Sequence, residues 1–253
     1  MPTSGHLLSI AMAVAAGLVG SFAVMRRMTL ASDAISHIAL PGIGIALAFH
    51  VHPALGAIAA LLAGALVIWG LEGRTRIATE TLIGVVFSTA LAIGSLLASG
   101  EELVDALLGS PGDVTTLELG VGLAGAGAVV VFVLAARHRL LIALVSSDLA
   151  RTAGVAVRRL DLLYLLAFAL TVALGLRYLG VLLMGSLIII PAATAKHLAT
   201  SLAEMLWIAV AVAVLATVAG TGLAEHFQRA TGPFIVLVAT GTFALGLVVR
   251  RRR

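Results

Sequence analysis

The chain has 253 residues, of which 61% are hydrophobic and only 11% charged. Soluble domains are about a quarter charged, so this balance excludes an ordinary soluble enzyme, and the net charge of +4 is better read as cations at helix ends than as a nucleic-acid surface. The absence of cysteine excludes disulfides and thiolate metal sites and leaves His, Asp, Glu and backbone oxygen for any metal.

Apolar runs near 20 residues recur along the chain, each long enough to cross a hydrocarbon core of about 30 Å. They predict an all-α, polytopic transmembrane helical bundle of eight to nine spans, with residues 1–253 forming one transmembrane domain. The first span, 6–25, is preceded by no Lys or Arg and followed by Arg26 and Arg27. That order is the reverse of a cleavable signal peptide and predicts a retained span with its N-terminus outside. The others are predicted at 29–50, 54–71, 81–99, 115–136, 159–176, 179–198, 203–223 and 233–249. Pro191 interrupts the seventh; were that segment re-entrant, the count would fall to eight and the N-terminus would change sides. With nine spans, every Lys and Arg except Arg177 and Arg229 falls on one side, which marks that side, and the C-terminus, as cytoplasmic.

Span two is the most informative. Asp33 and His37 are four residues apart, one helical turn, and face the same way. Ionisable groups inside a span are costly and usually line a site or pathway. A carboxylate and an imidazole suit a divalent transition metal. Counted from a start near Thr29, Asp33 should lie about 6 Å and His37 about 12 Å from the inner surface, at about 1.5 Å per residue. Pro41 has no N–H to offer the His37 carbonyl, and Gly42 adds freedom, so a helix break is predicted there. The competing reading is a structural Asp–His pair that locks two helices together. Two ligands fall short of the four that zinc usually takes, and a symmetric second copy could supply the rest.

Other polar positions carry less. His50 and His52 form an H-x-H before Pro53 at the outer end of span two, either a receiver of metal from outside or a bystander. Glu225 and His226 are similar, and Glu80 reads as a cap of span four. The glycines from Gly180 to Gly185, with Pro191, read as helix packing with a kink or break. The outer loop, 100–117, has room for a short interfacial helix at 103–108. The inner loop, about 140–159, holds a second: Ser146 or Ser147 caps it, Asp148 suits its positive end, and Gly154 ends it. A short capped helix on the cytoplasmic face is either a docking knob or a plain connector. The one lysine, Lys196, follows no glycine-rich turn, so no P-loop is present, and common hydrolase motifs are also missing. Active transport would need an ion gradient or another subunit.

Several segments in order resemble the metal-ion permease family of bacterial ABC importers, the zinc, manganese and iron group known as ABC-3. They are Arg26–Met28 with Asp33–Gly42, Glu80–Ser88 (where the family usually has Asp in place of Glu80), Asp105–Ser110, Gly180–Ala195, and Gly232–Pro233 with Val236–Thr240. The resemblance implies a type II importer-like permease in the bacterial inner membrane that is not itself an enzyme. It also implies a homodimer, two cytoplasmic ATP-binding subunits that alone use ATP, and an extracytoplasmic metal-binding protein. Zinc or manganese would be cargo, with ferrous iron also suited to the donor set, and no cofactor would be held permanently. Asp33 and His37 match the family's pair in the second span. Ala150 and Gly154 match the end of its coupling segment, with Asp148 where the family has Glu and Val145, Ser146 and Ser147 replacing the residues before it. Alternating access would carry the ion past Asp33 and His37. The alternative is a stand-alone secondary transporter or channel for metal ions or protons, in which the pair is a proton relay; a third reading is a membrane scaffold without transport.

Overall fold

A computed structural model describes residues 3–28, 31–75, 77–97 and 115–250, with backbone alone for 3–4, 177–183 and 249–250. Among the described residues all regular structure is helical. The helices are α1 Thr3–Met25, α2 Ala31–His37, α3 Ala39–Ala48, α4 Pro53–Glu72, α5 Thr79–Leu97, α6 Thr116–Val145, α7 Ser147–Thr152, α8 Val157–Leu198, α9 Leu202–Phe227 and α10 Thr231–Arg250. Eight stretches among them are long and apolar enough to cross a bilayer, α2 and α3 counting together as one. The chain is an integral membrane protein.

Local chemistry sets most helix ends. Thr115 and Glu118 form a reciprocal capping box at the start of α6. Ser201 accepts from the Glu204 backbone N–H at the start of α9, while the Glu204 carboxylate takes the Thr200 N–H at 2.7 Å. α9 ends on Gln228 in the left-handed region, φ 50°. α1 ends in a tight reversal: Arg27 has φ 61°, and the Met28 N–H donates to the Ala23 carbonyl at 2.9 Å.

α8 is helical throughout, and 42 residues laid straight would span about 63 Å at about 1.5 Å per residue. Both of its ends nevertheless lie beside the same end of α1. Asp161 pairs with Arg26, and Lys196 Nζ donates to the Val24 carbonyl at 3.4 Å. Between them, Tyr164 bonds Val19 and Ile188 packs on Gly20. Gly175 lies against the Met184 side chain, which places the reversal between those two residues. An outgoing limb thus rises from Val157 and a returning limb descends through Met184 to Leu198. The reversal is not at Pro191, which is buried inside the returning limb while the helix continues past it. Packed neighbours make the Leu187 carbonyl left without its helical donor tolerable.

α1 is the axis of the bundle. Its small residues Ala13, Ala16, Gly17 and Gly20 allow backbone-level approach by α8 and α9: a Cβ on Gly20 would collide with the Ile188 carbonyl, and one on Gly17 would sit 2.9 Å from the Ala209 oxygen. Phe22, Tyr164 and Phe168 are the largest fully buried side chains around it. α6 is longer than the predicted span and runs to Val145, so the inner loop shrinks to residues 146–156, with α7 inside it. The predicted interfacial helix at 103–108 and the acidic residues Glu101, Glu102, Asp105 and Asp113 lie outside the described residues.

Candidate ion pathway

The second span is broken where its proline requires. α2 ends at His37, Ile38 is in a turn with its N–H on the Ile35 carbonyl at 3.0 Å, and α3 begins at Ala39. Pro41 and Gly42 are both buried. Gly42 serves close packing: a Cβ there would strike the Gly56 carbonyl of α4, and one on Gly56 would strike Gly42 in return.

Asp33 is exposed and His37 half-buried, one turn apart on α2. The His37 ring rests against Phe87 of α5, centroids 5.5 Å apart. Its Nδ1 is buried and has no hydrogen-bond partner among the described residues. A ring nitrogen without a protein partner is chemically available to a ligand or water. Asp33 itself is held from behind by the returning limb of α8. A Cβ on Gly185 would lie 3.0 Å from the Asp33 Cα, and the neighbouring Ser32 hydroxyl donates to the Gly185 carbonyl at 3.4 Å. Ser36 donates to the Asp33 carbonyl at 2.7 Å.

These contacts move the pair deeper than the linear count. Gly185 is one turn beyond Ile188, which touches Gly20, itself five residues before the end of α1. At about 1.5 Å per residue Asp33 is about 12 Å from that end, not 6, and His37 lies about one further turn in. Met28 folds back beside Ala23 of α1 and the Ala31 N–H bonds the Met28 carbonyl, so α2 starts inside the bundle rather than at its rim.

α5, beside α2, exposes Thr81, Ser88 and Ser95. Spaced by seven, they fall on one face of the helix, and Ser88 follows the Phe87 that touches His37. Neighbouring membrane-crossing helices thus both present polar groups at their surfaces.

The other predicted positions separate from this site. His50, with φ 55°, and His52 sit on the exposed turn between α3 and α4. The Nδ1 of His52 is used as the N-cap of α4, accepting from the Ala54 N–H at 3.3 Å. Glu225 faces His6 across α9 and α1, 3.8 Å apart, and the His226 ring packs edge-on to Phe227. Glu80 is exposed in the first turn of α5. Among the described residues no three His, Asp or Glu converge into a metal cluster.

Within the shortened inner loop the predicted short helix is present. Ser146 caps α7 by accepting from Leu149 N–H at 3.2 Å, and Gly154 closes it with φ 77°. Ala150 is fully buried beneath the loop, while Asp148, paired with Arg151 at 3.2 Å, is exposed together with Val145 and Leu149. α7 therefore presents an apolar and charged tip above a buried base.

Two polar constructions at this end were missed from sequence. Arg26 is gripped by Asp161 and lies over the Tyr164 ring, and Arg158 lies over the Trp69 ring, whose Nε1 donates to the Arg158 carbonyl at 2.9 Å. The available signal was the i, i+3 placement of Asp161 and Tyr164 at the head of an apolar run.

The sequence model of the ABC 3 transport family matches residues 3–250. The high-affinity zinc uptake system membrane protein ZnuB of Haemophilus influenzae is 29% identical over 97% of this chain and 96% of its own length. The manganese transport system membrane protein MntC of Halalkalibacterium halodurans is 31% identical over 94% of this chain and 83% of its own. The solved structure of PsaBC from Streptococcus pneumoniae in complex with Fab superposes with a TM-score of 0.82 at 29% identity, covering 96% of this chain and 89% of that one.

Proposed function

The chain belongs to the ABC 3 transport family, and we propose that it is the membrane-crossing permease of an ATP-driven importer of zinc or manganese. The observation that carries this reading is the Asp33–His37 pair: an exposed carboxylate and, one turn on, a buried ring nitrogen with no hydrogen-bond partner among the described residues, at a helix break along the bundle, in a member of a transport family. Relatives named for zinc uptake and for manganese transport support the cargo class. Both ions accept nitrogen and carboxylate oxygen, so the donor set alone does not choose between them.

The proposed pathway is completed by a second copy of the chain. Asp33 on α2 and the hydroxyl stripe of α5 are exposed on membrane-crossing helices, where lipid is a poor neighbour for them. A two-fold axis beside this face would cover the stripe and bring two Asp33–His37 pairs together, giving the four ligands zinc prefers. The basic end of the bundle is then cytoplasmic, with the C-terminus there. The tip of α7, with Asp148, Ala150 and Gly154, docks an ATP-binding subunit that performs the hydrolysis, and an extracytoplasmic protein delivers the ion at the opposite end. Alternating access opens the pair first to one side and then to the other, the break at Ile38 and Pro41 letting α2 and α3 tilt separately.

The test is uptake of zinc and of manganese into liposomes holding this chain together with its ATP-binding subunit. ATP-dependent accumulation of either metal, lost with Asp33→Ala or His37→Ala at unchanged membrane abundance, supports the reading. Gradient-driven flux through this chain alone would replace it with a secondary transporter.

A further inference from the structure

We propose that the Arg26–Asp161 ion pair is the joint through which movement of the docking loop reaches Asp33. The proposal rests on the transport reading above and adds the residues that transmit it. Arg26 closes α1 and lies seven residues before Asp33; Asp161 opens α8 and lies seven residues after Gly154, the end of the docking helix. The two side chains meet at 2.9 Å and are only 15% and 26% exposed. The guanidinium also lies 4.6 Å from the centroid of the Tyr164 ring, one turn along α8. Tyr164 is fully buried, and its hydroxyl donates to the Val19 carbonyl of α1 at 3.0 Å. Arg26 is therefore held on two sides by one turn of α8, a grip that the flat guanidinium makes and an ammonium would not.

Both arms of the joint carry short-range backbone hydrogen bonds. On the docking side the Val155 N–H returns to the Ala150 carbonyl at 2.9 Å, and the Leu160 N–H takes the Ala156 carbonyl at 3.0 Å, so α7 leads into α8 with little slack. On the ion side the chain reverses at Arg27, Met28 is buried, and the Ala31 N–H bonds the Met28 carbonyl at 3.2 Å, so the start of α2 is tied to the end of α1. A shift of the α7 tip that rotates the first turn of α8 pulls on Arg26 and, through that reversal, on the helix bearing Asp33. Arg158 pins the same turn to α4 through Trp69, a contact that bypasses Arg26 and the reversal after it, and so supplies a control.

Arg26 and Asp161 are positioning residues, and the measurement is zinc or manganese taken up per ATP hydrolysed. The complex purified through a tag on this chain is placed in liposomes with zinc chloride or manganese chloride. Arg26→Gln and Asp161→Asn should keep ATP hydrolysis within about twofold and lower uptake per ATP about tenfold, within the usual range of a coupling free energy. The two changes combined should cost no more than either alone, the exchanged pair Arg26→Asp with Asp161→Arg should recover part of the loss, and Trp69→Phe should stay coupled. Hydrolysis and uptake falling in proportion to abundance, unchanged uptake per ATP, or equal uncoupling by Trp69→Phe would overturn the joint. A wild-type complex that hydrolyses ATP but moves neither metal would instead remove the transport reading, and the joint with it.

Discussion

α1 and α5 are both long apolar helices, 23 and 19 residues, and hydropathy alone treats them alike. Along the apolar stretch of α1 72% of the residues are buried inside the chain; along that of α5, 22% are. α1 meets protein over most of its surface and is built from alanine and glycine where backbones touch. α5 meets protein on one side only, through Leu82, Ile83, Ala90 and Gly94, and carries hydroxyls on an open side. Close packing punishes added volume, so residues of α1 answer to sterics. The open side of α5 and the neighbouring Asp33 answer to whatever covers them. Changes on α1 should therefore act on folding, and changes beside Asp33 on transport.

The largest effect should come from the exposed side. Asp33→Ala and His37→Ala should reduce metal uptake to the level of liposomes without protein while the chain reaches the membrane in normal amount; a matching loss of abundance would make the pair a structural lock. Next is Gly20→Val, whose branched side chain has to displace the Ile188 backbone. Overpacking of that kind costs about 1–3 kcal/mol, and the readout is abundance and the thermal midpoint in detergent. Between the two regions stands Gly185→Ala. Its methyl presses on the Asp33 backbone, which has to give by a few tenths of an ångström. The half-saturating metal concentration should rise by about 10-fold at a nearly unchanged maximal rate, as for other changes just behind a metal ligand. A fall in maximal rate alone would contradict the assignment of Gly185 to holding Asp33.

What could be read beforehand follows the range of each interaction. The break after His37 follows from the missing N–H of Pro41, and the start of α6 from Thr115 and Glu118, both settled within four residues. The α7 knob is equally local: Ser146 at its start, Gly154 at its end. The depth of Asp33 was misjudged because it depends on how the chain after Arg26 folds back on Ala23, which no periodicity encodes. The contact of Gly185 with Asp33 joins residues 152 apart, and the grip of Asp161 and Tyr164 on Arg26 is comparably distant. Apolar runs located the two limbs of α8; only tertiary contacts reveal that both of its ends lie against the same end of α1.

α1 and the open side of α5 also differ in small effects. The chain has no native cysteine, so single cysteines report cleanly. Ser88→Cys should cross-link two copies under mild oxidation, while Leu245→Cys, exposed on α10, should not; the reverse pattern would move the two-fold axis away from Asp33. The smallest change is Gly84→Ala. A Cβ there meets nothing within 4 Å in the protomer, in contrast to Gly20. The added methyl should shift the stability of the solubilised protomer by less than about 0.5 kcal/mol, as for surface changes away from packed features. If Gly84→Ala destabilised the isolated protomer as much as Gly20→Val does, α5 would be an interior helix, and its hydroxyl stripe would be packing against the protomer itself rather than waiting for a second copy.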